Sequence, residues 1–283
     1  ATDPGGKEGL AEMTSGLLDE GAGELKSQVF QRAVEDIAAQ IGFSAGRDTF
    51  TGQLRTLTAE RDKAFDLLRM ALNAPRFDAV PVKRIQSQML ASLRRQARNP
   101  RQISGRLWSE TVFPDHPYSK PSNGTEETVA GLTADDLKSF VRDRFSRDRL
   151  IIGIVGDISE EELKQRLDDV FGDLPATGRK FAIPDTTPAG SGKILIIRKQ
   201  IPQSMMILGH AGIKRDDPDW YAALLVTRIF GGGGFSSRLY EEIREKRGLA
   251  YSVYAYLSPM EHSALLAGGV ATQNARAAES LSV

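Results

Sequence analysis

Apolar residues along the chain switch between two periods. Leu10, Met13, Leu17 and Leu18 can share one face of an opening helix, with Glu12, Ser15, Asp19 and Glu20 on the others. Phe30, Val34, Ile37 and Ile41 recur at helical spacing, and Gly42 is the expected stop. Period two follows in "FSAGRDTFTGQLRTLT", where Phe50, Gly52 and Leu54 predict a strand or strand pair. Helices are expected over "AERDKAFDLLRMALNAP", from about Pro81 to Arg98 with a stop at Asn99–Pro100, and over "ISGRLWSETVF". "PDHPYSKPSNGT" reads as loop. Thr133 with Asp136, and Ser159 with Glu162, are capping boxes opening two more helices. Between them, the apolar run of "RLIIGIVGDI" is too short for a helix and predicts a buried strand.

The stretch from Pro175 to Gly192 is rich in Pro, Gly, Ser and Thr and marks a boundary. Beyond it, "KILIIRK" and "QSMMILGHAG" predict strands, and "DDPDWYAALLVTRIF" a helix. The run "GGGG" precedes another helix, "SSRLYEEIREKRG". The strands "AYSVYAYLS" and "SALLAGGVA" and the start of a last helix complete the pattern. The class is α+β. A first domain is expected over residues 1–178, a linker over 179–192 and a second domain over 193–283.

Composition narrows the function. The 283 residues carry 37 Lys plus Arg against 37 Asp plus Glu, so no basic excess marks an extended nucleic-acid surface. There is no cysteine, which excludes disulfides, thiolate nucleophiles and Cys-ligated zinc. No apolar run approaches the length of a membrane span.

Few residues offer chemistry. His116, His210 and His262 are scattered, and no two share a helix turn as a zinc site would want. They read as loop, strand-end and hairpin residues. An independent metal centre would have to gather all three. "GGGGFSSR" lacks the Lys-Ser/Thr and the spacing of a phosphate loop and follows a helix. Its glycines suit either close backbone approach by an extended ligand or a flexible connection. No Gly-x-Ser-x-Gly elbow is present. Arg244 ends a helix, and Tyr251 begins the next strand seven residues on. Converging on a carbonyl oxygen, these two donors could stabilise charge developing there during peptide hydrolysis. Alternatively, the arginine is a solvated charge paired with its Glu neighbours and the tyrosine packs on a strand.

"GGGGFSSRLYEEIREKRGLAYSVYAY" resembles the second-half signature of the pitrilysin-like zinc metallopeptidases, the group of insulin-degrading enzyme and mitochondrial processing peptidase. The likeness extends, in order, to "GLAEMTSGLLDEGAG", "HPYSKPSNGTEETVAGLTADDL" and "LIIGIVGDI". It implies related α/β sandwich domains of the processing-peptidase and LuxS type, two to each half of a clamshell around a peptide chamber. Active members carry His-x-x-Glu-His on the opening helix and a further glutamate downstream. In this register Glu12 and Gly16 stand at the histidine positions, Ser15 at the general base, and the third ligand falls at or next to Ser92. None keeps its family residue, so the resemblance implies no zinc in this chain. It also implies that Arg244 and Tyr251 match an arginine and tyrosine that reach substrate from the second half. In two-subunit relatives one chain supplies zinc and the other this pair. The expectation is therefore a non-catalytic subunit that works with a same-family chain carrying His-x-x-Glu-His and zinc. Gly231, Gly232, Gly233, Gly234 and Phe235 would lie near an extended peptide substrate. An inert scaffold or peptide-binding protein on the same fold is the alternative. The resemblance further suggests strands missing before the first helix and a second domain cut short. The expected compartment is the periplasm, with the cytoplasm as alternative.

Overall fold

The computed structural model describes residues 2–283. In chain order the elements are α1 (Leu10–Ser15), β1 (Gly21–Ala22), β2 (Leu25–Lys26), α2 (Ser27–Asp36), β3 (Gln40–Ala45), β4 (Phe50–Arg55), α3 (Arg61–Asn73), α4 (Ala79–Gln96) and α5 (Pro100–Val112). Then follow α6 (Glu126–Ala130), α7 (Ala134–Arg144), α8 (Glu160–Phe171), β5 (Gln203–Ala211), α9 (Trp220–Thr227), β6 (Ala250–Pro259), β7 (Ala264–Gln273) and α10 (Ala277–Ser282). The class is the expected mixture of helix and sheet. Two compact units form: residues up to Arg94 with Pro121–Ala182, and Arg95–Lys120 with Ile183–Val283.

In the first unit the apolar side chains of α1 and of the turn that follows it seed the core. Leu10, Met13, Leu17 and Leu18 are all buried and pack with Phe77, Leu132, Leu137 and Phe140, while Ile85 and Met89 of α4 close over them. A second cluster joins Phe30 and Val34 of α2 to Ala64, Leu67 and Ala71 of α3. Both sequence-read capping boxes form reciprocally, at Thr133–Asp136 and Ser159–Glu162. The helix expected to run to Gly42 instead ends at Asp36. Ala38 turns to φ 50° and the Ala39 N–H donates back to the Val34 carbonyl. Ile41 and Gly42 then pair with Leu54 and Gln53 in the antiparallel β3–β4 hairpin.

Leu150–Val155 is not the buried strand its composition predicts. It is extended without a paired neighbour, and Ile151 and Val155 are 97% and 104% exposed. A strand needs another strand's backbone groups, and none of the described strands supplies them here. The stretch 193–199, also expected as a strand, behaves alike, with Ile194 at 86% and Ile196 at 79% exposure.

The second unit is built on a three-stranded antiparallel sheet in the order β5-β7-β6. Ile243, Leu249, Ala250 and Val270 form its core, with Met206 and Val253 packed against them. The helix α5 and the loop after it belong to this unit, whereas the sequence pattern runs the first domain unbroken through them to residue 178. The fully buried Tyr118 explains the attachment: its hydroxyl accepts the His262 N–H at 3.1 Å, and its ring meets His116 edge-on. The Pro- and Gly-rich stretch is also fastened. The Thr186 N–H donates to the His262 carbonyl and the Ala189 N–H to Val112, each at 2.8 Å.

Exposed apolar backbone of this kind templates strand addition between molecules. A polypeptide of residues 1–283 alone should therefore self-associate. The pair Ile151→Lys and Ile196→Lys should raise the concentration at which light scattering first detects oligomers. Being solvent-exposed, these substitutions should change unfolding free energy by less than about 0.5 kcal/mol.

Candidate functional site

On α1, the residues at the implied metal positions are engaged in ordinary helix chemistry. The buried Ser15 hydroxyl donates to the Glu12 carbonyl at 2.8 Å, and the Gly16 N–H donates to the same oxygen at 3.2 Å. A Cβ on Gly16 would rest 3.5 Å from the Ile85 Cγ2 of α4. Glu12 lies on the outer side of α1, and Ser92 lies on α4. Partial burial of the carboxyl groups raises Glu12 and Asp19 from the ordinary range. This donor set does not fit zinc. One carboxylate, two hydroxyls and a glycine hydrogen lack the imidazoles and the close cluster of donors that a tetrahedral site requires. Among the described residues no group of three or more His, Cys, Asp or Glu could hold a metal. The histidines are occupied singly. His116 Nδ1 accepts the Tyr118 N–H and its Nε2 faces the Pro184 carbonyl at 3.0 Å. His262 Nδ1 meets Asp185, and His210 Nδ1 meets the carbonyl of Ala211.

The second unit gathers the other candidates. The helix α9 runs directly into a π-helical turn, Arg228–Gly232. There the glycine run lies against β6: a Cβ at Gly231 would sit 2.7 Å from the Ala255 nitrogen and 2.8 Å from Leu239 Cδ1. At Gly233 it would sit 2.8 Å from the Arg228 carbonyl oxygen. Gly234 takes φ +64°, a left-handed turn that favours glycine, and turns the chain toward Phe235. The close contacts at Gly231 and Gly233 are thus with the protein's own atoms.

Arg244 lies in a second π-helical segment, Tyr240–Glu245. Such turns are uncommon and concentrate at functional sites. The Gly248 N–H then donates to the Arg244 carbonyl and the Leu249 N–H to Ile243. The buried Thr272 hydroxyl fastens the turn through the Leu249 carbonyl at 2.6 Å. The chain enters β6 through a bulge. Ala250 pairs with Thr272 and Ser252 with Ala271, which leaves Tyr251 as the extra residue. A bulge re-aims a side chain, and Tyr251 is 79% exposed.

These two irregularities bring Arg244 and Tyr251 together, with the guanidinium carbon 4.7 Å from the Tyr251 ring centroid. On its other contact it lies 4.7 Å from Tyr240 and 6.0 Å from Phe235. The neighbouring carboxylates are largely taken elsewhere. Lys246 pairs with Glu241 at 2.9 Å and with Glu242 at 2.6 Å, and Arg247 pairs with Glu242 at 2.6 Å. Those two cations hold the Glu242 carboxyl down to about 2. Among the described residues Arg244 keeps only Glu245, with Nε at 3.9 Å. Its planar fork of donors is thus charged, stacked and available, beside a phenol that can also donate. Sequence reasoning did not single out Tyr240, although it lies four residues before Arg244, the spacing at which helical side chains meet.

Thus Arg244, Tyr251, Phe235 and the glycine run form one patch in the second unit, while Glu12, Ser15, Gly16 and Ser92 belong to the first. Comparison with known proteins identifies the family. The family model described as "Peptidase M16 inactive domain" matches residues 131–283, more than half of the chain. A Bacillus subtilis protein named "Uncharacterized zinc protease YmxG" is 25% identical over 91% of this chain and 62% of its own length. A Helicobacter pylori protein named "Non-peptidase homolog YmxG" is 28% identical over 87% of this chain and 57% of its own. The chain thus spans about three fifths of these relatives. The crystal structure of a peptidase M16 inactive domain from Pseudomonas fluorescens superposes with a TM-score of 0.92 and 30% identity, covering 98% of this chain and 67% of that one. A protease from Helicobacter pylori shares the fold at a TM-score of 0.85 and 19% identity. The chain belongs to the pitrilysin-like peptidase M16 family, through its inactive domain.

Proposed function

We propose that this chain is the non-catalytic subunit of a two-chain zinc endopeptidase and contributes Arg244 and Tyr251 to the partner's active site. The observation that carries this reading is the state of Arg244. Its guanidinium is oriented by aromatic rings, Glu245 is its single and distant carboxylate among the described residues, and it sits against the ring of the exposed Tyr251. A same-family partner with His-x-x-Glu-His would supply the zinc and the water-activating carboxylate that the first unit lacks. The substrate is an extended peptide. As water adds to the scissile carbonyl, negative charge grows on its oxygen. Arg244 Nη and the Tyr251 hydroxyl donate hydrogen bonds to that oxygen, and because they are positioned beforehand they favour the transition state over the ground state. Phe235, 79% exposed on its turn, offers an apolar surface beside the same path. The name "non-peptidase homolog" borne by one relative suits a chain without its own metal chemistry. It also suits the inert scaffold that is the alternative.

The two are separated by reconstitution. The full-length chain mixed with a partner carrying His-x-x-Glu-His should cleave extended peptides, and neither should do so alone. Arg244→Ala should lower kcat of the mixture about 100-fold, and Tyr251→Phe at least about tenfold, in the range seen when one oxyanion donor is removed. Unchanged kcat in both variants would favour the scaffold. Elemental analysis of the purified chain alone should find well under one zinc per chain, with the metal following the partner.

A further inference from the structure

The arginine's usefulness depends on where its guanidinium is held, and the structure shows what holds it. Among the described residues Arg244 has no close ion pair that would fix its long side chain, since Glu245 lies 3.9 Å from Nε. A surface pair at that distance confines an arginine weakly. Two aromatic faces do the work instead. Tyr240 and Tyr251 each lie 4.7 Å from the guanidinium carbon. They differ in character. Tyr251 is 79% exposed, whereas Tyr240 is only 9% exposed and is held in turn by Phe235, whose ring meets it at 5.0 Å and 88°, edge to face. That geometry matches the favoured contact between ring quadrupoles. Among the described residues no hydrogen bond reaches the Tyr240 hydroxyl, so its part in this arrangement is played by the ring. Phe235 itself is set by the Gly234 turn at φ +64°.

We infer that Tyr240 is a positioning residue for Arg244. Its buried ring, propped by Phe235, is the platform on which the guanidinium stacks, while the exposed Tyr251 covers the arginine from the strand. Tyr240 does not touch substrate. It removes conformational freedom from the donor before the peptide arrives, so its loss should be felt in turnover rather than in substrate affinity. This inference rests on the proposal that Arg244 serves a partner's active site, but its geometric half can be tested without a partner.

The experiment uses the full-length subunit and compares Tyr240→Phe, Tyr240→Leu and Phe235→Ala. In the free subunit, the Arg244 Nε–Hε resonance should lie upfield through the ring currents of Tyr240 and Tyr251. It should keep that position in Tyr240→Phe and move toward the free-arginine position in Tyr240→Leu. In the reconstituted enzyme, Tyr240→Leu should lower kcat about tenfold with KM nearly unchanged, consistent with a cation–π contact of the usual strength. Tyr240→Phe should restore the rate, and adding Tyr240→Leu to Arg244→Ala should cost nothing further. Phe235 is exposed, so Phe235→Ala tests the same chain of contacts without endangering the fold. It should lower kcat by a few-fold. A change confined to KM would mark Phe235 as a substrate contact only and Tyr240 as unsupported. If Arg244→Ala is costly while Tyr240→Leu keeps both the resonance and the rate, the positioning role is overturned. If Arg244→Ala itself leaves kcat intact, the trans-acting proposal fails, and the resonance still decides whether Tyr240 holds the arginine.

Discussion

An arginine stacked on aromatic rings and nearly deprived of carboxylates is the interaction around which the second unit is arranged. Within "YEEIREKR" there are three glutamates and three cations, enough for every charge to be paired locally. The chain distributes them unevenly. Lys246 and Arg247 take Glu241 and Glu242, and Arg244 turns away toward Tyr240 and Tyr251. The π-helical segment and the β6 bulge are the backbone irregularities that make this possible. Each departs from the regular ladder at the residue whose side chain has to point elsewhere. The contact of Gly231 with Ala255 completes the arrangement, because it lets the turn before Phe235 lie directly on the strand that carries Tyr251.

The first unit shows the opposite balance. There the opening helix and the turn after it serve packing. Leu10, Met13, Leu17 and Leu18 still anchor the core. The positions between them are filled by residues that settle their own polar groups: Ser15 bonds back to the helix backbone, and Gly16 is a cap. A helix can lose metal ligands in this way without loss of stability, because a ligand side chain at the edge of a core contributes less burial than its apolar neighbours.

What the sequence disclosed and what it hid divide along locality. The capping boxes at Thr133 and Ser159 were legible because a cap is complete within four residues. The resemblance singles out Arg244 and Tyr251, and the fold brings their side chains together. The end of α2 was misread because Ile41 falls on the face set by Phe30 and Val34, while the left-handed turn at Ala38 leaves no compositional trace. The exposure of Ile151 and Val155 was hidden because strand pairing depends on neighbours distant in sequence. The burial of Tyr118 inside an apparent loop was hidden for the same reason: its partners His116 and His262 come together only in the fold. Tyr240 carries no distinct signal in the sequence, since an aromatic residue four positions before an arginine usually signals packing.

In the proposed two-chain enzyme, this chain would offer an oriented guanidinium and not merely a positive charge. Arg244→Lys tests it most directly, because lysine keeps the charge but loses the planar fork and the stacking surface. The account predicts that kcat of the reconstituted enzyme with Arg244→Lys stays within a few-fold of the Arg244→Ala value, about 100-fold below wild type. A lysine variant turning over at the wild-type rate would contradict it.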